Sequence, residues 1–444
     1  MVAAESRPRL HRHPRVHRPT AERHCVATVP SSDIDRVREE TTRLRSVDGL
    51  RALAMIWIVS FHVLYFLSNV MDPHAAWTFF TSTRFNLILQ APFGIDVLFV
   101  LSGFLIGGYV FRELKRSRLS MRTYFIRRAA RLFPAYLAAL ALYAVVMPYN
   151  LPHIWANLLF VNNYVPYAQQ AMGWTWTLGV DVHFYVLFPL AILLVRDSRW
   201  YLPLLIAALI GALALRAFVI VHAGMTLPWL TSPVYDAAHF NRVFDVLYDK
   251  THMRFGAIVC GLIAAYLYEY TSARDVLSRN AGLALSLVLA SLAVLAAYLA
   301  VPGYLPNIGT RLGGVISTFY LVTSNYAFAA AIACLLLLVL CEAPRSHTLG
   351  RWLSARVWYW PAELSYSVFL LNPLVILGTY IFVLHPADMT IGKAIAYELL
   401  LIPLTYAAAA LLYFAVERPF RSIARRYTQP WRPAAQAVGD GPCG

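Results

Sequence analysis

The sequence predicts an all-α polytopic integral membrane protein of about ten transmembrane helices with both termini cytoplasmic, and three observations carry that expectation. The composition is 59% hydrophobic and only 14% charged, against about 45–50% apolar and about 25% charged in an ordinary soluble domain. The apolar residues fall into segments long enough, or nearly so, to cross a bilayer. The basic residues alternate between the intervening loops. Together these exclude a disordered chain, a collagen-like fibre and an ordinary soluble enzyme, because a bilayer core accepts long apolar runs and penalises charge.

The elements follow in chain order. Residues 1–46 open MVAAESRPRLHRHPRVHRPTAERHC, rich in Arg, His and Pro and without an apolar core. They read as a disordered basic cytoplasmic tail, not a secretory signal. The membrane domain is expected over 47–420, with a cytoplasmic tail at 421–444. Apolar spans are predicted at 48–68, 86–111, 131–147, 176–195, 201–221, 252–269, 281–301, 322–341, 363–385 and 394–416. Residues 153–165 (HIWANLLFVNNYV) are too short and polar to span, and suit an interfacial or re-entrant segment. The net charge of +15 becomes topological when the N terminus is set inside. Thirty of the 38 Lys and Arg then lie in cytoplasmic segments, five (Arg84, Arg242, Lys250, Arg311, Lys393) in outer loops and three (Arg51, Arg216, Arg254) in helices. A plasma-membrane protein follows, with no nucleic-acid partner needed to explain its basicity. The outer loops 148–175 and 222–251, rich in Trp, Tyr, Pro and Asn, suit the mouth of a site. The five scattered cysteines lack CxxC spacing, so neither a disulfide framework nor a metal site is implied.

Ionisable groups inside spans are costly unless paired or hydrated, so they are the functional candidates. Arg51 and His62 lie on one face of the first helix, about 16 Å apart along its axis. Asp96, in the antiparallel second helix, reaches a similar depth to His62, where a carboxylate would orient the imidazole and stabilise its protonated form. In the same helix Ser102, Gly103, Gly107 and Gly108 suit close helix packing. Asp181 and His183 enter with the fourth helix, Asp181 sharing a face with Tyr185. Arg254 begins the sixth span near the outer surface, and Arg216 is expected to snorkel. Arg127, Arg128 and Arg131 form an RRxxR cluster at the cytoplasmic start of the third helix. Guanidinium forks at that spacing suit phosphate, although anchoring to lipid headgroups is the simpler alternative.

The motifs carrying these residues are Arg51 to His62, GIDVLFVLSGFL (94–105), RRAARLFPAYL (127–137), WTLGVDVHFYVLFPL (176–190), LSYSVFLLNPLV (364–375) and VERPF (416–420). In this order, from 46 to about 420, they resemble membrane acyltransferase family three, which includes O-antigen and exopolysaccharide O-acetylases and macrolide acyltransferases. The resemblance implies transfer of an acyl group, acetyl first among them, from cytoplasmic acyl-CoA to a hydroxyl of a sugar, glycolipid or macrolide on the other face. His62 would be the general base, oriented by Asp96 or Asp181. Arg51, Arg127, Arg128 and Arg131 would hold the donor phosphates, and Trp176, His183, Tyr185 and Arg254 would meet the acceptor. Departures from the family pattern are Leu98-Phe99 for Phe-Phe, Asp181 for Glu, His183 for Gln, and Asn372 for a His before proline; no role is carried to Asn372. The alternative reading is a transporter or flippase of a lipid-linked sugar or acylated metabolite, with the same polar residues lining its path.

Overall fold

The structure is a computed structural model, and it describes residues 31–70, 86–195, 197–225, 237–301, 308–386 and 390–428. Residues 1–30 and 429–444, most of the two expected tails, lie outside the described residues, as do Arg84 and Arg196. The chain divides into two units, Met1–Thr41 and Thr42–Gly444. Of the first only helical backbone from Ser31 is described. The second holds the membrane-spanning segments and the cavity they enclose.

Among the described residues there is no strand, and ten helices are long and apolar enough to cross a membrane, as the sequence predicts. They are α1 (Ser31–Val70), α2 (Pro92–Lys115), α3 (Met121–Val146), α4 (Trp176–Leu194), α5 (Tyr201–His222), α6 (Thr251–Tyr270), α7 (Ala281–Leu299), α8 (Ile308–Leu340), α9 (Ser365–Thr379) and α10 (Ile391–Leu412). A π-helical turn, Tyr380–Leu384, extends α9, and another, Tyr413–Glu417, joins α10 to a last helix, Arg418–Thr428. Residues 151–164 form only short turns, Leu151–His153, Ile154–Leu158 and Asn162–Tyr164.

Helix α3 begins ten residues earlier than its apolar run. Ser120 caps it, its Oγ accepting from the Thr123 amide at 3.3 Å. The first turns are too basic to score as a span, yet they are helical, and they seat Tyr124 in the core at 2% exposure. Arg127, Arg128 and Arg131 therefore ride on the helix itself.

Helices α2 and α6 cross closely enough that their backbones touch. A Cβ at Gly103 would overlap the Ile258 carbonyl oxygen, and one at Gly261 would overlap that of Val100. Small residues here allow the approach, and the approach brings Asp96 of α2 against Arg254 of α6.

Candidate active site

One cavity of about 470 Å³ runs through the helices, with walls from α1, α2, α3, α4 and α9. Arg51, Arg128 and Arg131 line one end. Tyr65, Met147, Tyr149, Gln170 and Trp174 line the other. Arg51 and Tyr65 are fourteen residues apart along α1, about 21 Å of helix, so the space crosses much of an apolar layer about 30 Å thick. His62 lies in its wall, about 16 Å along α1 from Arg51.

The setting of His62 is built by α9. Pro373 has no amide proton, so the Phe369 carbonyl one turn earlier lacks its helical donor. The Asn372 side-chain amide supplies one, Nδ2 donating to the Phe369 and Val368 carbonyls at 3.0 Å each. With Nδ2 committed, Oδ1 faces His62 Nδ1 at 2.5 Å. An amide oxygen only accepts, so Nδ1 carries the proton and donates it. The neutral ring then keeps its lone pair on Nε2, the arrangement a proton acceptor needs. The expected carboxylate partner is absent from this contact, and Asn372, a position to which the family resemblance carries no role, stands in its place.

Asp181 and Tyr185 line the cavity from one face of α4, together with Trp176 at its start. The Ser102 hydroxyl donates to Asp181 Oδ2 at 3.3 Å, while the buried Oδ1 has no partner among the described residues. Arg51 meets Asp48 at 3.6 Å. Arg128 lies over the rings of Tyr124 and Tyr185, at 5.8 and 5.7 Å. Among the described residues no carboxylate reaches ion-pair distance of Arg128 or Arg131, so this end presents cations not consumed by internal anions.

Four expected site residues lie elsewhere. Asp96, fully buried, meets Arg254 Nη2 at 3.0 Å and accepts from Asn325 Nδ2 at 2.7 Å. Arg254 is not at the outer surface; it is 1% exposed and ringed by Phe99, Trp176 and Tyr248 at 5.9, 5.5 and 5.3 Å. Its neighbour Arg216 does not snorkel. It is buried and donates to Asn325 Oδ1 at 2.7 Å and to the Leu321 and Met253 carbonyls at 2.9 Å each. His183 contacts the Thr251 hydroxyl at 2.8 Å, two residues round the helix from the cavity face of Asp181. Arg127 is exposed and donates to Thr428, from Nε to Oγ1 at 2.8 Å and from Nη2 to the carbonyl at 3.3 Å, tying α3 to the last helix. The cause is common to all four: depth in a span follows from residue counting, but rotation about the helix axis depends on the packing partner. Beside Asn372, sequence reasoning missed Ser102 as a hydrogen-bond donor and Gln170. An intramembrane Asn next to Pro was the one signal available, because an unpartnered amide is expensive there.

A family model described as an acyltransferase domain matches residues 44–414. The peptidoglycan O-acetyltransferase OatA of Listeria monocytogenes is 23% identical over 400 residues, which cover 85% of this chain and 55% of that protein. Nose resistant to fluoxetine protein 6 of Caenorhabditis elegans is 23% identical over 280 residues, covering 55% of this chain and 34% of the relative. An O-acetyltransferase OatA of Staphylococcus aureus is 28% identical over 172 residues, 34% of this chain and 24% of its own. The chain thus spans between a third and somewhat over half of the first two of these relatives. No solved structure matches it.

Proposed function

The chain belongs to the acyltransferase-domain family, and we propose that it is a membrane O-acyltransferase moving an acyl group, acetyl first among them, from cytoplasmic acyl-CoA to a hydroxyl of a glycan, glycolipid or macrolide-type acceptor. The observation that carries the reading is the continuity of the cavity. Three arginines line one end, and a histidine with its Nδ1 proton fixed by Asn372 lies about 16 Å away along α1. Coenzyme A has its phosphates and its thioester at opposite ends of a long flexible arm, and that separation of anion and reacting carbonyl suits the separation of the arginines from His62.

The donor substrate brings an activated carbonyl and a thiol leaving group. The chain's residues do the remainder. Arg51, Arg128 and Arg131 offset the phosphate charge. His62 Nε2 takes the proton of the acceptor hydroxyl as its oxygen attacks the carbonyl. The ester C–O bond forms, the thioester C–S bond breaks, and the proton passes to the departing sulfur. Asn372 Oδ1 holds Nδ1–H throughout, and so keeps the ring turned for this exchange. Asp181, Tyr185 and Trp176 border the same space. The positive-inside distribution supports a cytoplasmic arginine end, on the side of both termini, with acyl-CoA entering there and the acceptor from the opposite end.

The test is release of free coenzyme A from labelled acyl-CoA in membranes holding matched amounts of wild-type and His62→Ala protein. Acceptor-dependent release by the wild type, lowered about 100-fold or more in the variant, is expected. Equal release from both eliminates His62 as the base. A transporter would release none from either.

A further inference from the structure

The arginine end of the cavity is flanked by two carboxylates that do not pair with its arginines. Glu363 ends a short helix, Tyr359–Glu363, just before α9, and Glu417 ends the π-helical turn after α10. Tyr366 donates to the Leu132 carbonyl at 2.9 Å, which sets the start of α9 against α3 at the residue after Arg131. Ser365, Tyr366 and Arg131 all line the cavity. Arg131 is close enough to act on the Glu363 charge. Burial pushes that carboxyl up, but the Tyr413 hydroxyl, Arg421 and Arg131 outweigh burial and hold it below the usual carboxylate range. Glu363 is therefore ionised at neutral pH. A carboxylate left free in this position would turn to Arg131, and a guanidinium already answered by a carboxylate is a poor phosphate site.

Arg421, on the last helix, takes both carboxylates instead. Its Nη1 meets Glu363 Oε1 at 2.8 Å and Glu417 Oε1 at 3.3 Å. Two hydroxyls complete the arrangement: Tyr413 donates to Glu363 Oε1 at 2.7 Å, and Ser367 donates to Glu417 Oε2 at 2.8 Å. Each anion is thus held by the same guanidinium and by one hydroxyl of its own. Glu417 belongs to the VERPF segment and Ser367 to LSYSVFLLNPLV, two motifs to which the steps of acyl transfer give these residues no part.

Resting on the acyl-transfer reading, we infer that Arg421 is a positioning residue of the donor site. By holding Glu363 and Glu417 it keeps both carboxylates off Arg128 and Arg131, whose guanidinium groups stay open to the phosphates of acyl-CoA. It acts through these neighbours and not by touching the donor.

Equilibrium dialysis of radiolabelled acetyl-CoA against the full chain in detergent, without acceptor, tests this. Arg421→Gln is expected to raise the Kd about tenfold or more, as the released carboxylates turn to Arg131. Removing those anions reverses the loss, so Arg421→Gln/Glu363→Gln/Glu417→Gln is expected to bind within about twofold of wild type. An unchanged Kd in Arg421→Gln overturns the role. So does a triple variant that binds as weakly as the single one, the result expected if Arg421 itself held phosphate or only braced the fold. If Arg421→Gln does not accumulate as folded protein, Glu363→Gln/Glu417→Gln, which keeps Arg421, decides. It is expected to bind at least as tightly as wild type, and weaker binding overturns the role. Wild-type protein that binds no acetyl-CoA overturns both the acyl-transfer reading and the role that rests on it. The expected series of Kd values without acceptor-dependent coenzyme A release from membranes overturns the acyl-transfer reading alone. Release with the Kd alike in all variants overturns the role of Arg421 alone.

Discussion

Two groups of buried charges flank α2. On the cavity side, Arg51, Arg128, Arg131, His62 and Asp181 line an open space, Arg128 lies over two rings, and among the described residues no carboxylate comes within ion-pair distance of Arg128 or Arg131. On the α6 side, Asp96, Arg254, Asn325 and Arg216 are all 5% exposed or less and face one another. Both groups look alike in the sequence, as charge where a membrane disfavours it. The difference teaches that cost alone does not mark function. A charge answered from within the protein holds helices together, whereas a charge left facing a cavity is available to a ligand.

The comparison can be broken first at Asp96. Asp96→Ala strands Arg254 in an apolar interior, and breaking a buried pair in this way costs about 3–5 kcal/mol. The expected result is a large loss of folded protein in detergent, with unchanged kcat per folded molecule. Normal accumulation with lost turnover would move Asp96 into the chemistry.

A smaller effect is expected at Asn372. Asn372→Leu removes the acceptor for His62 Nδ1–H and frees the ring to adopt the wrong tautomer, so kcat should fall by about one to two orders of magnitude. Asn372→Asp keeps an acceptor in place and should recover much of it. If leucine and aspartate behave alike, Asn372 does not act by fixing the tautomer.

The smallest effect concerns Asp249, which receives the Gln170 amide at 2.7 Å and meets Lys250 at 3.0 Å. Burial pushes its carboxyl up to about 6, against the pull of Lys250 and Gln170. The folded chain therefore holds this proton more readily than the unfolded one. Stability should decline as pH rises from about 4 to 6, by at most about 1.4 kcal/mol per pH unit, and level off above. Thermal unfolding across that range should show the decline in the wild type and lose it in Asp249→Asn; a slope that survives the substitution would assign it to another group.

The ten spans were legible in the sequence because hydrophobic length is a local property. The early start of α3 was not, since its basic first turns are helical but not apolar. The site was half legible. Arg51 and His62 could be placed on one face by counting within one helix, and both line the cavity. Asp96 could be matched to His62 in depth, but the Gly103–Gly261 crossing turns it to α6 instead. Asp181 and His183 are two residues apart and face different neighbours for the same reason. The partner of His62 lies 310 residues along the chain, beyond any periodicity argument, although Pro373 explains why the Asn372 amide is oriented as it is.

Central to the proposed function is that the arginine end of the cavity receives the donor and the far end the acceptor. Steady-state kinetics of the Arg128→Gln/Arg131→Gln double variant test this most directly. The expected result is a KM for acyl-CoA raised at least about tenfold, the loss of phosphate contacts worth more than about 1.4 kcal/mol, with the acceptor KM unchanged. An unchanged KM for acyl-CoA, or a rise confined to the acceptor, would contradict it.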